Sequence, residues 1–227
     1  MELYKIYNIL LNEYGFQLWW PVTREGQAKP EYIGGPKNDK QRLEVAIGAV
    51  LAQNTSWKNV EKAIINLSKN SSIDIQKIRK IEKEKLEEII KPSGFYKQKA
   101  ERLKILADFL ENKRFDNIER DELLSLKGIG PETADSILLY ACEKPEFVVD
   151  TYTKRIFSRL GLIDNTGYSE VKKFFQDNLN GKENLVQIYQ EFHALIVEHA
   201  KRYCKKEPDC ERCPLRKQCK YYKREKQ

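Results

Sequence analysis

Leu126-Lys127-Gly128-Ile129-Gly130-Pro131-Glu132-Thr133-Ala134 is the stretch that decides the fold. An amphipathic segment, Asp121 to Leu126, precedes it, and a second, Ala134 to Ala141, follows. The pattern predicts two short helices joined by Gly-Ile-Gly. Glycine permits backbone angles that other residues resist and lets a ligand approach closely. Backbone N–H groups at the start of the second helix would face an anion. Ile129 would pack between the helices. A lone G-x-G usually marks only a tight turn, but the whole L-x-G-I-G-x-x-T-A string between two helices reads as a phosphate clamp. Lys127, Gly128, Ile129, Gly130 and Thr133 would form it. Such a clamp holds backbone and carries no sequence information.

Outward from the hairpin the chain reads as nearly all helix. Leu43 to Gln53 is apolar on most sides, as a central core helix would be. Asn59 to Ser68 and Lys99 to Phe109 space Val, Ile, Leu and Ala helically, and Leu185, Ile188, Tyr189, Phe192, Leu195 and Ile196 form one stripe. Gly15, Pro92-Ser93-Gly94 and Gly161 supply stops. No alternation of period two stands out. Arg24 to Lys40, rich in Gly, Pro and charge, is expected to be a surface loop.

The 227 residues suffice for a buried core. No apolar run approaches the roughly 20 residues of a membrane span. The N-terminal helix, Met1 to Tyr14, is broken by Glu2, Lys5 and Glu13 and does not resemble a signal peptide, so a cytoplasmic location is expected. The net charge is +7 and the pI near 9.0. From Lys201 to Gln227 there are 11 Lys/Arg against 4 Asp/Glu, so this tail carries the whole excess. By itself a basic tail is as consistent with a solvated terminus as with a polyanionic partner. Four of the five cysteines fall in the last 24 residues, and in a cytoplasmic protein such a cluster points to a metal rather than to disulfides.

Val148-Val149-Asp150-Thr151 follows Gly130 by about 20 residues. With the hairpin it resembles the endonuclease III superfamily of DNA glycosylases, whose signature is a helix-hairpin-helix, a Gly/Pro-rich loop and an aspartate. The loop here keeps Pro145 and has no glycine. The resemblance implies that Asp150 is essential for base excision. Cleaving an N-glycosidic bond builds positive charge on the sugar, which a carboxylate stabilises while orienting or activating water. Asp150 would also cap the helix starting at Thr151. Bifunctional members place a Schiff-base lysine just after the hairpin. That place holds Glu132, and Lys127 lies on the other side of the turn, so the resemblance implies a monofunctional glycosylase without lyase activity.

Cys204, Cys210, Cys213 and Cys219 give C-x5-C-x2-C-x5-C. Zinc modules more often use two short C-x2-C pairs. The arrangement resembles the four-iron loop of endonuclease III and the adenine glycosylases of mismatch repair, with a first gap one residue shorter. It implies a structural [4Fe-4S] cluster, with zinc as the alternative. Cys142 reads as a core residue.

Leu18-Trp19-Trp20-Pro21, Gln53-Asn54-Thr55-Ser56-Trp57, Lys91 to Ala100 and Lys127 to Asp135 together resemble the 3-methyladenine DNA glycosylase III branch, from about Trp19 to His199. That branch also carries the glutamate, but its best-known form lacks the iron-sulfur loop. The resemblance assigns Trp19, Trp20 and Trp57 to the base pocket, where indole faces would hold a cationic alkylated purine by cation–π contact. Gln53 would fill the gap left by the flipped base. Phe95, Tyr96, His193 and His199 read as structural.

The expected architecture is all-α and two-lobed: a six-helix barrel at 38–143 with the hairpin at 121–141, and an N/C-terminal domain at 1–37 plus 144–227 with the cluster loop at 204–219. Damaged double-stranded DNA would lie between the lobes, its phosphates held by the hairpin and a monovalent cation that the family suggests. The chain would act as a monomer, and a downstream AP endonuclease would cut its product. The rival readings are a mismatch-specific thymine or uracil glycosylase, an oxidised-purine glycosylase, and a non-enzymatic damage-recognising DNA-binding protein.

Overall fold

The apolar stripes of the sequence become helices in the computed structural model, which describes residues 3–164 and 167–225. In chain order the α-helices are α1 (Leu3–Tyr14), α2 (Asp39–Leu51), α3 (Trp57–Lys69), α4 (Ile75–Lys80), α5 (Lys83–Ile90), α6 (Tyr96–Leu110), α7 (Arg120–Ser125), α8 (Pro131–Tyr140), α9 (Thr151–Leu160), α10 (Tyr168–Leu179), α11 (Leu185–Arg202) and α12 (Lys220–Glu225). The all-α expectation holds, with one small addition. Val22–Thr23 (β1) and Pro30–Glu31 (β2) form an antiparallel pair, Val22 opposite Glu31 and Thr23 opposite Pro30. Two residues per strand are too few for a period of two to show. Arg24 to Lys40 is therefore not simply a surface loop: it contains β2, and its end opens α2.

Contacts divide the chain into Leu18–Lys144 and a second unit joining Met1–Gln17 to Pro145–Gln227. In the first, α2 is the central helix, buried at every position from Leu43 to Leu51. Asn38 caps it, its side chain accepting the Gln41 N–H at 3.0 Å. Residues 18–37 belong with this unit, whereas the sequence had suggested grouping them with the N-terminal helix. The reason is local. Gly48 of α2 leaves room for the Trp20 indole, which a Cβ there would meet at 3.1 Å. The Glu44 carboxylate accepts both the N–H and the hydroxyl of Thr23 at 2.9 Å, and the Gln41 amide donates to the Thr23 carbonyl.

The second unit is built on an aromatic core. Phe147 stacks on Phe175 with centroids 4.0 Å apart, Phe157 meets Phe175 edge-on at 4.7 Å, and Tyr7 of α1 meets Phe192 of α11 at 5.4 Å. Tyr7, Phe157, Phe175 and Phe192 are the apolar stripes of α1, α9, α10 and α11 turned inward, and Phe147 joins them from the segment before α9.

Glu44 is 2% exposed, and burial lifts its carboxyl to about 7 against the two Thr23 donors. A carboxyl raised in the folded state stabilises most below its unfolded value and loses that contribution as pH rises through the folded one. Glu44→Gln should therefore melt like the wild type near pH 4.5 and be the more stable protein above pH 7. The gain is bounded at about 3 kcal/mol, and melting curves across that range check it.

Candidate DNA-binding and base-excision site

The hairpin forms as the glycines require. Gly128 sits at φ +86°, and a Cβ there would lie within 2.8 Å of the Arg102 aliphatic chain. Glycine is thus demanded by backbone angle and by space. Ile129 is buried at the turn, and its N–H donates to the Leu126 carbonyl at 3.1 Å. Pro131 takes the first position of α8, where its fixed φ suits a helix start. The two hairpin helices are locked by Arg120, whose Nε and Nη2 donate to the two carboxylate oxygens of the fully buried Asp135 at 2.8 and 3.3 Å. Lys127 is 79% exposed and pairs with Glu101 at 2.8 Å. Glu132 lies exposed on the second residue of α8.

Gln53 lies in the turn after α2, not inside the helix. Its amide nitrogen donates to the Gly128 carbonyl at 3.1 Å and to the Thr133 hydroxyl at 2.9 Å, and its oxygen accepts from Arg102 Nη1. The residue proposed to enter DNA is thus tied to the hairpin in this structure.

The three tryptophans meet. Trp19 and Trp57 lie 4.7 Å apart edge-on, with Trp20 at 5.3 Å from Trp19 and 5.5 Å from Trp57. Tyr32 lies 5.8 Å from Trp19. Their exposures differ: Trp20 is 4% exposed and packs on Gly48 and Tyr140, while Trp19 and Trp57 are half-buried. Trp57 Nε1 is buried and has no acceptor among the described residues, an uncommon condition for an indole donor. Phe95 reads as structural in the sequence, yet it is the most exposed of the large apolar side chains described, at 64%, on a left-handed residue at φ +46°.

In the other unit Asp150 caps α9. Its Oδ1 accepts the Thr153 N–H at 2.7 Å and the Thr153 hydroxyl at 2.8 Å. Oδ2 faces His193 Nε2 of α11 at 3.7 Å, with both side chains 12% exposed. Burial opposes the charged carboxylate, but His193 and the Thr153 donors outweigh it and hold Asp150 below the ordinary aspartate value. His193 is therefore not the bland residue its sequence suggests. Nothing in the spacing signals it, because α9 and α11 are brought together only by packing. His199 is a core histidine, 1% exposed, its Nδ1 sharing a hydrogen bond with the Tyr14 hydroxyl at 2.8 Å.

Cys204, Cys210, Cys213 and Cys219 all line one pocket beside α9 and α11. Arg159 Nη1 donates to Cys204 Sγ at 3.3 Å, Arg155 Nε donates to the Cys204 carbonyl at 2.8 Å, and Cys219 Sγ donates to the Arg159 carbonyl at 3.3 Å. His199 Nε2 lies 3.5 Å from Cys213 Sγ. Burial first, and the other three thiols after it, push the Cys213 thiol up to about 12. No group of three metal-ligating side chains is gathered for an ion among the described residues. Four soft sulfur donors around one partly apolar pocket nonetheless suit an iron-sulfur cluster by their chemistry. Cys142 is buried in the core.

Residues 47–180 match the family of HhH-GPD superfamily base excision DNA repair proteins. A Methanocaldococcus jannaschii protein described as a DNA repair glycosylase is 45% identical over 96% of this chain and 95% of its own length. Endonuclease III of Thermotoga maritima is 35% identical over 83% of this chain and 88% of its own. Among solved structures, the H. pylori 3-methyladenine DNA glycosylase bound to 1,N6-ethenoadenine superposes with a TM-score of 0.73 at 32% identity, covering 89% of this chain and 98% of that one. This chain belongs to the HhH-GPD superfamily, the endonuclease III group of base excision DNA glycosylases.

The cap at Asp150 can be separated from its charge. Asparagine caps a helix about as well as aspartate, whereas alanine costs about 0.5–2 kcal/mol. Asp150→Asn should keep most of the wild-type melting temperature, and Asp150→Ala should melt lower; calorimetry of the two variants decides it.

Proposed function

We propose that the protein is a monofunctional DNA glycosylase that excises alkylated purines of the 3-methyladenine type with water and leaves the abasic site uncut. The observation that carries this reading is Glu132, an exposed carboxylate on the first turn of α8 where lysine stands in bifunctional relatives. A carboxylate cannot form an imine with the sugar. The 32% identity to the H. pylori 3-methyladenine glycosylase over most of both chains supports the substrate class.

The residues then divide the work. The hairpin backbone from Lys127 to Thr133 grips phosphate, with a monovalent cation as an added bridge, and α8 presents its positive end there. Gln53 fills the gap left by the flipped base, and the exposed ring of Phe95 suits insertion between base steps. Trp19 and Trp57 offer faces to a cationic base, which needs little acid catalysis to leave, and Trp20 supports them from the core. Asp150 keeps its charge in a buried setting, so Oδ2 stabilises the positive charge growing on the sugar and orients the attacking water. The abasic product must be passed to an AP endonuclease.

Cys204, Cys210, Cys213 and Cys219 would hold a [4Fe-4S] cluster, which when bound supplies a cross-link for the C-terminal loop. Arg155 and Arg159 already tie that loop to α9. Base hydrolysis itself requires no electron.

The deciding experiment offers the protein methylated duplex, T opposite G, U opposite G and an oxidised guanine, scored before and after alkali, with Asp150→Asn beside it. Release of methylated purines, strand cuts only after alkali, and loss of release in the variant are expected. Borohydride trapping of a covalent enzyme–DNA adduct would exclude the monofunctional reading, and release of thymine or uracil alone would move the protein to mismatch repair. Anaerobically prepared protein should carry about four irons per chain, and Cys213→Ser should lose them; zinc in their place would exclude the cluster.

A further inference from the structure

The amide of Gln53 has little freedom in this structure. Arginine only donates, so the Gln53 oxygen must face Arg102. The Gly128 carbonyl only accepts, so the nitrogen must face the hairpin. Both amide protons are committed, one to Gly128 and one to Thr133, at 3.1 and 2.9 Å. Arg102 lies on α6, and its aliphatic chain fills the space under Gly128. One side chain therefore touches both the residue meant to enter DNA and the turn meant to grip it, and neither the hairpin motif nor the aspartate signature includes it.

We propose that Arg102 is a positioning residue that latches Gln53 against the hairpin in the free enzyme, and that this latch opens when the base is flipped. The inference rests on the reading of Gln53 as the residue that fills the vacated stack. A glutamine that enters the duplex must give up the Arg102, Gly128 and Thr133 bonds together. Their loss is offset only where a gap exists for Gln53 to fill. On intact duplex the latch stays closed, and the hairpin is gripped in the conformation that binds backbone. The latch thus biases the enzyme against opening undamaged DNA.

The test compares wild type, Arg102→Met, Gln53→Ala and the double variant, each checked by its melting curve. Methionine keeps an aliphatic chain under Gly128 and removes the donor. The readout is the ratio of affinities for a duplex carrying a tetrahydrofuran abasic analogue and for the same duplex undamaged. A ratio cancels changes in general backbone grip. Stacking of a neighbouring 2-aminopurine reports whether the gap is filled. Arg102→Met should raise the ratio by about three- to tenfold, the weight of one hydrogen bond. Gln53→Ala should lower the ratio, the double variant should match Gln53→Ala, and Arg102→Lys, which keeps a donor, should stay near wild type. If Gln53→Ala lowers the ratio but Arg102→Met leaves it unchanged, the latch is wrong and Gln53 still fills the gap. If Gln53→Ala leaves both the ratio and the 2-aminopurine signal unchanged, the gap-filling reading fails and takes the latch with it.

Discussion

An α-helix begins with four backbone N–H groups that nothing inside it can satisfy, and the working parts of this protein are organised around that constraint. At α9 the unmet donors are answered by Asp150, whose Oδ1 takes the Thr153 N–H while Oδ2 faces His193. At α8 the chain arrives through Gly130 and Pro131, with no side-chain cap from Gly130, so this helix start can serve a phosphate. One helix start thus holds a carboxylate of the protein, and the other carries no side-chain cap from its own N-cap residue.

The same logic runs in reverse at helix ends. Lys99 is 1% exposed, and its ammonium donates to the Leu51 carbonyl at the end of α2 and to the Ser93 carbonyl beyond α5, at 2.9 and 2.7 Å. Burial, with a smaller push from Arg102, brings it down to about 8. The cost of burying that charge is offset by the negative ends it neutralises. It also fixes the two turns from which Gln53 and Phe95 emerge. The Arg120–Asp135 pair does similar work inside the hairpin, holding α7 and α8 at one angle.

The cysteine loop follows a different principle. Its backbone carbonyls at Cys204, Lys205 and Lys206 are taken by Arg155 and Arg159 of α9, and Tyr221 stacks on the Arg159 guanidinium at 5.0 Å. The helix that begins at Asp150 therefore ends by organising the loop. In the tail Arg202 pairs with Glu198 and Arg212 with Asp209, so part of its basic charge is held in local ion pairs.

What the sequence determined by itself is whatever depends on local order. The hairpin was legible because glycine angles and helical periodicity are short-range rules. The all-α class followed from period, the Asp150 cap from its place before Thr151, and the cysteine pocket from the spacing of thiols. What only the tertiary structure decided depends on partners distant in sequence. His193 beside Asp150, Arg102 between Gln53 and Gly128, the burial of Trp20 and of Lys99, the exposure of Phe95, and the joining of residues 18–37 to the barrel unit are of this kind. The physical reason is common to all of them. A side chain's chemistry is set by what packs against it, and in a helical protein the packing face comes from another helix whose position no local pattern records.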